Sequence, residues 1–316
     1  MEVKKNPKKW LWKRNELEEV KEFKYLGFTF NNRNSILQHV RELSKKANKV
    51  IGIVWGIGER IFGYDVSRRM MLFRSLVKSV LMYGAEVWGW KEYEVIERVQ
   101  EKYIKWILGL DKNTPGYIVR EEMKTDKIRV DAGKLAVKYE DRMRERVHCK
   151  ILQECWKMRR MTVGNDREAY YKRNGYAIEE IERRRENGRW MYVELCERDR
   201  DIEKQERRER IRESRYNDKY EKLLHNNLPE YLKRESKNKI KMIARFRCGN
   251  EERDNHFWMD EKERLCRICG EGRETMEHMA KECIEMEARE ERIEELLNGD
   301  GRGLKWMKEV KRLRGG

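Results

Sequence analysis

No stretch of this 316-residue sequence approaches the roughly 20 consecutive apolar residues that a membrane-spanning helix requires. The N-terminus carries no apolar segment typical of a signal peptide either. Together these absences predict an intracellular protein, nuclear or cytoplasmic, with no membrane partner. Apolar residues are scarce throughout. Only 39% of the chain is hydrophobic while 42% is charged, which argues for several small helical units rather than one large core. Of the seven cysteines, Cys149, Cys155, Cys196 and Cys248 are scattered among charged residues without a disulfide framework, as befits reduced thiols. The glycine-rich segment 56–63 lacks the spacing of a dinucleotide fingerprint or a P-loop, and no βαβ pattern surrounds it. It reads as a helix connector.

Positive charge is what the chain has in excess. There are 74 Lys and Arg against 58 Asp and Glu, a net charge of +16 that favours a polyanionic partner such as nucleic acid, with membrane headgroups as the competing polyanion. The surplus is concentrated in residues 1–50 (13 basic, 6 acidic), 232–247 (7 and 1) and 302–316 (6 and 1). Residues 266–300 have the opposite balance, 5 basic and 11 acidic, so any phosphate contact there falls to the flanks.

That acidic segment holds four potential metal ligands within eighteen residues: Cys266, Cys269, His278 and Cys283, spaced C-x2-C-x8-H-x4-C. Three thiolates and an imidazole at this spacing can close a tetrahedral shell around structural zinc, leaving no open position for chemistry. Gly270 stands where the chain must turn sharply after the first pair, and Gly272 lets it leave the turn. Disulfide pairing is the competing use of the thiols.

Elsewhere the periodicity is mainly helical. Residues 23–30, Phe-Lys-Tyr-Leu-Gly-Phe-Thr-Phe, carry apolar side chains too densely for one face and predict a strand or hairpin arm buried on both sides. Ile36, Leu37, Val40, Leu43, Ala47, Val50, Ile51 and Val54 then follow helical spacing, with Asn34 or Ser35 as the N-cap. A second helix starts after Asp65. A third runs from Tyr93 to Leu108 and ends at Gly109, and three such stripes can form a small bundle. A further apolar stripe from Ala132 through Val147 to Trp156 is expected to dock on it. From about Glu179 to Arg215 the text is almost entirely charged, and residues 197–215 alternate 8 basic with 7 acidic side chains. This predicts a solvated spacer helix laced by i,i+4 pairs, anchored by Trp190, Tyr192, Val193 and Leu195; an RNA-binding basic arm is the other reading. The fold expected is mainly α, with a short N-terminal β element, a three-helix bundle, long charged helices and a small metal knuckle. Its segments are 1–33, 34–112, 113–240, 241–290 and a basic tail at 291–316.

Three stretches in order, Phe23-Lys24-Tyr25-Leu26-Gly27, then residues 80–88 (Val-Leu-Met-Tyr-Gly-Ala-Glu-Val-Trp), then Glu97-Arg98-Val99-Gln100 leading to Ile107-Leu108-Gly109, resemble the region after the polymerase palm in non-LTR retrotransposon reverse transcriptases. Residues 243–250 (Ile-Ala-Arg-Phe-Arg-Cys-Gly-Asn) ahead of Cys266 and Cys269, and 274–278 (Glu-Thr-Met-Glu-His) ahead of Cys283, resemble that family's C-terminal zinc knuckle. The resemblance covers residues 20–112 and 240–285. It implies that Tyr25, Leu26 and Gly27 lie at the palm end near the primer strand, and that residues 36–109 form a thumb over the template-primer duplex. Lys45, Lys46, Lys49, Arg68, Arg69 and Arg74 are then candidates for the nucleic-acid backbone, and Arg245 and Arg247 the preferred ones beside the zinc ligands. Phe257 and Trp258 could stack on bases or pack on the knuckle.

The carboxylate cluster that such a polymerase uses to hold two metal ions has no counterpart, since no two aspartates are adjacent anywhere. The sequence therefore predicts no catalytic residues and no enzyme in this chain alone. It reads as a C-terminal fragment binding RNA or DNA, for a catalytic half encoded elsewhere. The alternative is a zinc-stabilised protein-interaction module, which the acidic residues around Cys283 favour.

Overall fold

The computed structural model describes residues 10–315 apart from 14, 34, 64, 147 and 163. Two antiparallel hairpins open the chain: β1 (Trp10–Trp12) with β2 (Asn15–Leu17), and β3 (Glu22–Tyr25) with β4 (Phe28–Asn31). In the second, Phe23 faces Phe30 and Tyr25 faces Phe28 across a two-residue loop. Leu26 and Gly27 both have positive φ, 45° and 84°, as the loops whose twist matches a hairpin require. The expectation that this arm is buried on both sides is wrong. All of β3 is exposed, with Phe23 and Tyr25 each 58% accessible, because a two-stranded ribbon has no second layer over its outer face. Phe28 and Thr29 are the more covered positions and reach His39 of α1. Asn34, one of the two expected caps, lies outside the described residues. The other, Ser35, donates no cap; Asn31 instead accepts from the Arg33 and Ser35 amides at 3.1 and 2.9 Å and shapes the turn.

The hairpin is fastened by a histidine. Phe28 stacks on His39 at 3.9 Å, and the Thr29 amide donates to His39 Nδ1 at 3.3 Å, which places the ring proton on Nε2 facing the Tyr83 carbonyl at 3.4 Å. Tyr83 in turn donates its hydroxyl to the Leu26 carbonyl. Burial holds the His39 pKa below 6.5, against a smaller opposing pull from the Tyr83 carbonyl. Because the folded pKa is depressed, the unfolded chain binds the proton first. The hairpin contact is therefore complete above about pH 6.5 and weakens as pH falls through the folded pKa. NMR titration should show the His39 ring titrating below 6.5, and a value at or above it would contradict the contact.

The helical part begins with α1 (Leu37–Ile57), which buries Val40, Leu43, Ala47, Ile51 and Val54 on one stripe. It runs through Gly52 and Gly56 into a wide π turn at Gly58–Phe62, so the expected break is itself helical. Asp65 caps α2 (Val66–Leu72) by accepting from the Arg68 amide at 2.9 Å. A second π turn, Phe73–Val77, leads into α3 (Lys78–Leu81), and α4 (Ala85–Trp88) follows. Next comes α5 (Glu94–Leu108), which ends on Gly109 at φ 65°, the left-handed cap its sequence announces. Helices α1, α3 and α5 with the Phe73 turn pack together as the bundle.

Helix α6 (Gly116–Met123) precedes α7 (Ile128–Glu145), whose N-terminus is capped by a side chain from another helix: Glu97 accepts from the Ile128 and Arg129 amides, both at 2.9 Å. Burial nevertheless pushes the Glu97 carboxyl up to about 7. The apolar stripe expected from Ala132 to Trp156 is two helices, α7 and α8 (Lys150–Thr162); its Val147 lies outside the described residues. Helix α9 (Gly164–Arg173), α10 (Ile178–Glu186) and α11 (Tyr192–Arg212) complete a satellite core of Trp90, Tyr170, Tyr171, Ile181 and Leu195.

The charged helix α11 is not a solvated spacer. Leu195, Asp199, Glu203, Arg207 and Ile211 recur every four residues, and all five are at least 96% buried against α6 and α7. Arg129 donates to Asp199 and Glu206, each at 2.9 Å, and Arg207 donates to Glu121 at 2.8 Å. A charged stripe is the inward face here because α6 and α7 carry opposite charges at matching heights. Buried ions are retained only when paired in this way.

Past a 3-10 turn at Asp218–Leu223, α12 (Tyr231–Arg234) and α13 (Lys237–Arg247) lead to the cysteine-rich segment, which is followed by α14 (Ile293–Leu296) and α15 (Leu304–Gly315). The expected basic tail is therefore a packed helix, with Trp306, Met307 and Val310 buried against α13. Apolar side chains from α1 to α15 form one contiguous cluster that also includes Cys266, Met276, Met279 and Cys283. The cysteine-rich segment and the three-helix bundle thus share a core. Among the described residues no helix is long and apolar enough to cross a membrane.

Candidate metal centre

The cysteine-rich segment folds as a knuckle. Leu265 pairs with Arg273 as an antiparallel bridge, the Cys266 amide donates to the Gly272 carbonyl at 2.9 Å, and the Gly270 amide donates back to the Cys266 carbonyl at 2.8 Å. Gly270 has φ 74°, so the turn after the first cysteine pair uses the left-handed region. At Gly272 the reason is space: a Cβ there would lie 2.8 Å from the His278 ring. His278 and Cys283 sit at opposite ends of one π turn, His278–Glu282, which Thr275 starts by accepting from the His278 amide at 3.1 Å.

Cys266, Cys269, His278 and Cys283 converge, their donor atoms all within 4.8 Å of one another, and can hold a metal ion. Cys269 Sγ and His278 Nε2 are 3.2 Å apart. A tetrahedral ion would hold such donors about 3.5–3.8 Å apart, so the cluster needs only small shifts to close on one. The other ring nitrogen, Nδ1, faces Glu282 at 3.7 Å, the outer carboxylate that often orients a ligating imidazole. Burial pushes the Cys283 thiol up to about 11, and the neighbouring Cys266 and Cys269 add to the rise. A cation is what would let three packed thiolates coexist. No disulfide links any of the seven cysteines.

Two buried carboxylates hold the knuckle against the rest of the chain, and the sequence reading missed both. Glu274, fully buried, accepts from the Arg267 amide at 2.8 Å, from the Arg267 guanidinium at 2.6 Å and from Arg314 of α15 at 3.0 Å. Glu252 accepts from the Met276 amide at 2.6 Å and from Asn255 at 2.8 Å. Their partners stand up to 40 residues away, so no local spacing marks them.

The stretch 245–250 turns out to be a joint. Arg245 donates to Asp111 at 2.8 Å, to Glu251 at 2.5 Å and to the Gly109 carbonyl at 2.9 Å. Arg247, 1% exposed, donates to Glu122 at 2.6 Å, and Glu122 also accepts from the Tyr220 and Tyr231 hydroxyls, each at 2.6 Å. Asn250 accepts from Thr114 and the Asp111 amide and donates to Tyr216. This corrects the assignment of Arg247 to nucleic acid: its guanidinium is enclosed and neutralised. Arg245 is half-buried and pairs with Asp111 and Glu251.

The same correction applies to Arg69. It is 1% exposed, lies over the Trp55 ring at 4.1 Å and pairs with Glu59 at 2.9 Å, closing the turn after α1. Lys45, Lys46, Lys49, Arg68 and Arg74 are exposed. Arg68 pairs weakly with Asp65 at 3.3 Å, while Lys45, Lys49 and Arg74 meet no carboxylate among the described residues. Tyr25 and Leu26 are exposed at the hairpin loop and Gly27 packs on Tyr83, so the structure brings two of the quoted motifs into contact. Phe257 and Trp258 are 54% and 59% exposed, and Trp258 stacks on His256 at 4.8 Å. No protein-family model, curated protein or solved structure matches the chain, so its function has to be argued from this centre and the charged surface around it.

Proposed function

We propose that this chain binds nucleic acid through a basic surface, is stabilised by one structural zinc ion, and has no catalysis of its own. The observation that carries this reading is where the charge ends up. Among the described residues eight basic and ten acidic side chains are buried, so the buried set holds none of the positive excess of this +16 chain. Lys45, Lys46 and Lys49 stand exposed along α1, and burial followed by the nearby Lys24 ammonium lowers the pKa of Lys46, the mark of crowded positive charge. Such crowding favours phosphate. Three thiolates and an imidazole in a closed shell fit zinc among the divalent metals, and Cys266, Cys269, His278 and Cys283 would hold it. The origin in a non-LTR retrotransposon reverse transcriptase, as a thumb and knuckle working with a separate catalytic half, rests on the motif resemblance alone.

The test is metal analysis joined to salt-titrated binding. The purified chain should carry one zinc per molecule. Its affinity for single-stranded RNA or DNA should fall steeply between about 50 and 200 mM salt. Changing Lys45, Lys46 and Lys49 together to Gln should lower the log-log salt slope by about 2. Salt-independent binding, or none, would remove the nucleic-acid reading. One observation favours the alternative, a protein-interaction module: Ile284 is 72% exposed among the exposed acids Glu282, Glu285 and Glu287.

A further inference from the structure

A second candidate site lies on the bundle, away from the metal centre. Along α5 and the loop after Gly109, a cavity of about 380 Å³ is lined by Arg98, Glu101, Lys102, Lys105, Trp106 and Lys112. Its charge is one-sided once partners are assigned. Glu101, the one carboxylate, is paired with the buried Arg120. Arg98 pairs only with Glu94 at the exposed rim, at 2.6 Å. Lys105, with Glu101 near it, donates to the Lys112 carbonyl at 2.8 Å and Lys102 donates to Asn48 at 3.1 Å, so neither ammonium hydrogen-bonds a carboxylate. Lys112 has no ion pair among the described residues.

Trp106 supplies a flat surface beside these cations. It is 38% exposed, whereas Tyr103 one turn earlier is fully buried. Its ring rests edge-on against Trp55 at 5.4 Å and 73°, which sets its plane, and the Lys102 ammonium lies over it at 4.9 Å. An exposed lysine is long enough to swing away, and a base would then cover the indole while the ammonium follows the phosphate.

We propose that this cavity takes one unpaired nucleotide of a single-stranded nucleic acid, its base stacked on Trp106 and its phosphates held by Lys102, Lys105 and Lys112. The proposal rests on the nucleic-acid reading above and specifies where an unpaired strand sits. Stacking tolerates any base, so the site grips a strand without reading its sequence.

The test uses the full chain with a short labelled oligouridine RNA, its DNA counterpart and an abasic strand. Trp106→Ala should weaken binding about tenfold, and Trp106→Phe should keep most of the affinity. Changing Lys102 and Lys112 together to Gln should lower the salt slope by about 1.4. Should Trp106→Ala disturb the packing on Trp55, the abasic strand tests the same stack on the unaltered protein, where about tenfold weaker binding is expected. Equal affinity for abasic and normal strands, or an unchanged salt slope in the lysine variant, overturns the pocket while general binding survives. An unaltered chain that binds none of the strands overturns both readings.

Discussion

Stripping the proposed zinc from Cys266, Cys269, His278 and Cys283 with a chelator is expected to melt the knuckle, because structural zinc contributes about 10–16 kcal/mol of apparent free energy in units of this kind. Beyond the four donors, the knuckle holds one β bridge, one π turn and the Arg267–Glu274 ion pair. Cys266→Ser and Cys283→Ser should act alike. The loss should also spread to α15, because Glu274 is held between Arg267 of the knuckle and Arg314 of the last helix. Helices α1 and α5 also pack directly on each other and should keep that contact. Amide exchange measured with and without chelator decides the matter. Unaltered protection at the His278 amide would show that no metal supports the fold.

The second large effect is predicted at Glu122, outside the cysteine-rich segment. Glu122→Ala should cost about 3–5 kcal/mol, since it leaves the Arg247 guanidinium buried with no counter-charge. Burial alone would lower the Arg247 pKa, and Glu122 outweighs it, so the pair stays ionised across the ordinary pH range. The Tyr220 and Tyr231 hydroxyls would lose their acceptor as well. Replacing both partners by apolar residues, Glu122→Leu with Arg247→Met, should recover much of the loss, because no charge is then stranded. Urea midpoints for the single and double variants measure this. A single variant within about 1 kcal/mol of the parent would mean that Arg247 finds water, and would return it to the candidates for phosphate contact.

Some elements were legible because their signal is local. The caps at Asp65 and Gly109 each act within a few residues, and the α1 stripe is a plain 3.6-residue period. Residues 23–30 are not the single arm that their dense apolar run predicted: two strands meet at a loop of Leu26 and Gly27, and apolar density reports which residues could be covered, not whether a second layer exists to cover them. Helix α11 failed for a related reason. Asp199, Glu203 and Arg207 at four-residue spacing read the same whether they face water or face Arg129, Arg120 and Glu121, and those partners lie about 70–90 residues upstream. The same ambiguity misdirected Arg69 and Arg247 toward phosphate. Trp106 and its lysines were passed over because only the loop after Gly109 brings Lys112 back beside α5.

The convergence of four donors able to hold a metal ion was set by sequence alone, since four donors within eighteen residues need only one glycine turn and one π turn to meet. The overall excess of positive charge was equally plain in composition. Which charges remain at the surface was a tertiary decision. Coulomb pairing in a buried site depends on distance in space, and the residues that neutralise Arg247 and Arg129, like the Arg314 that joins Arg267 at Glu274, come from separate helices that only the packed core brings together.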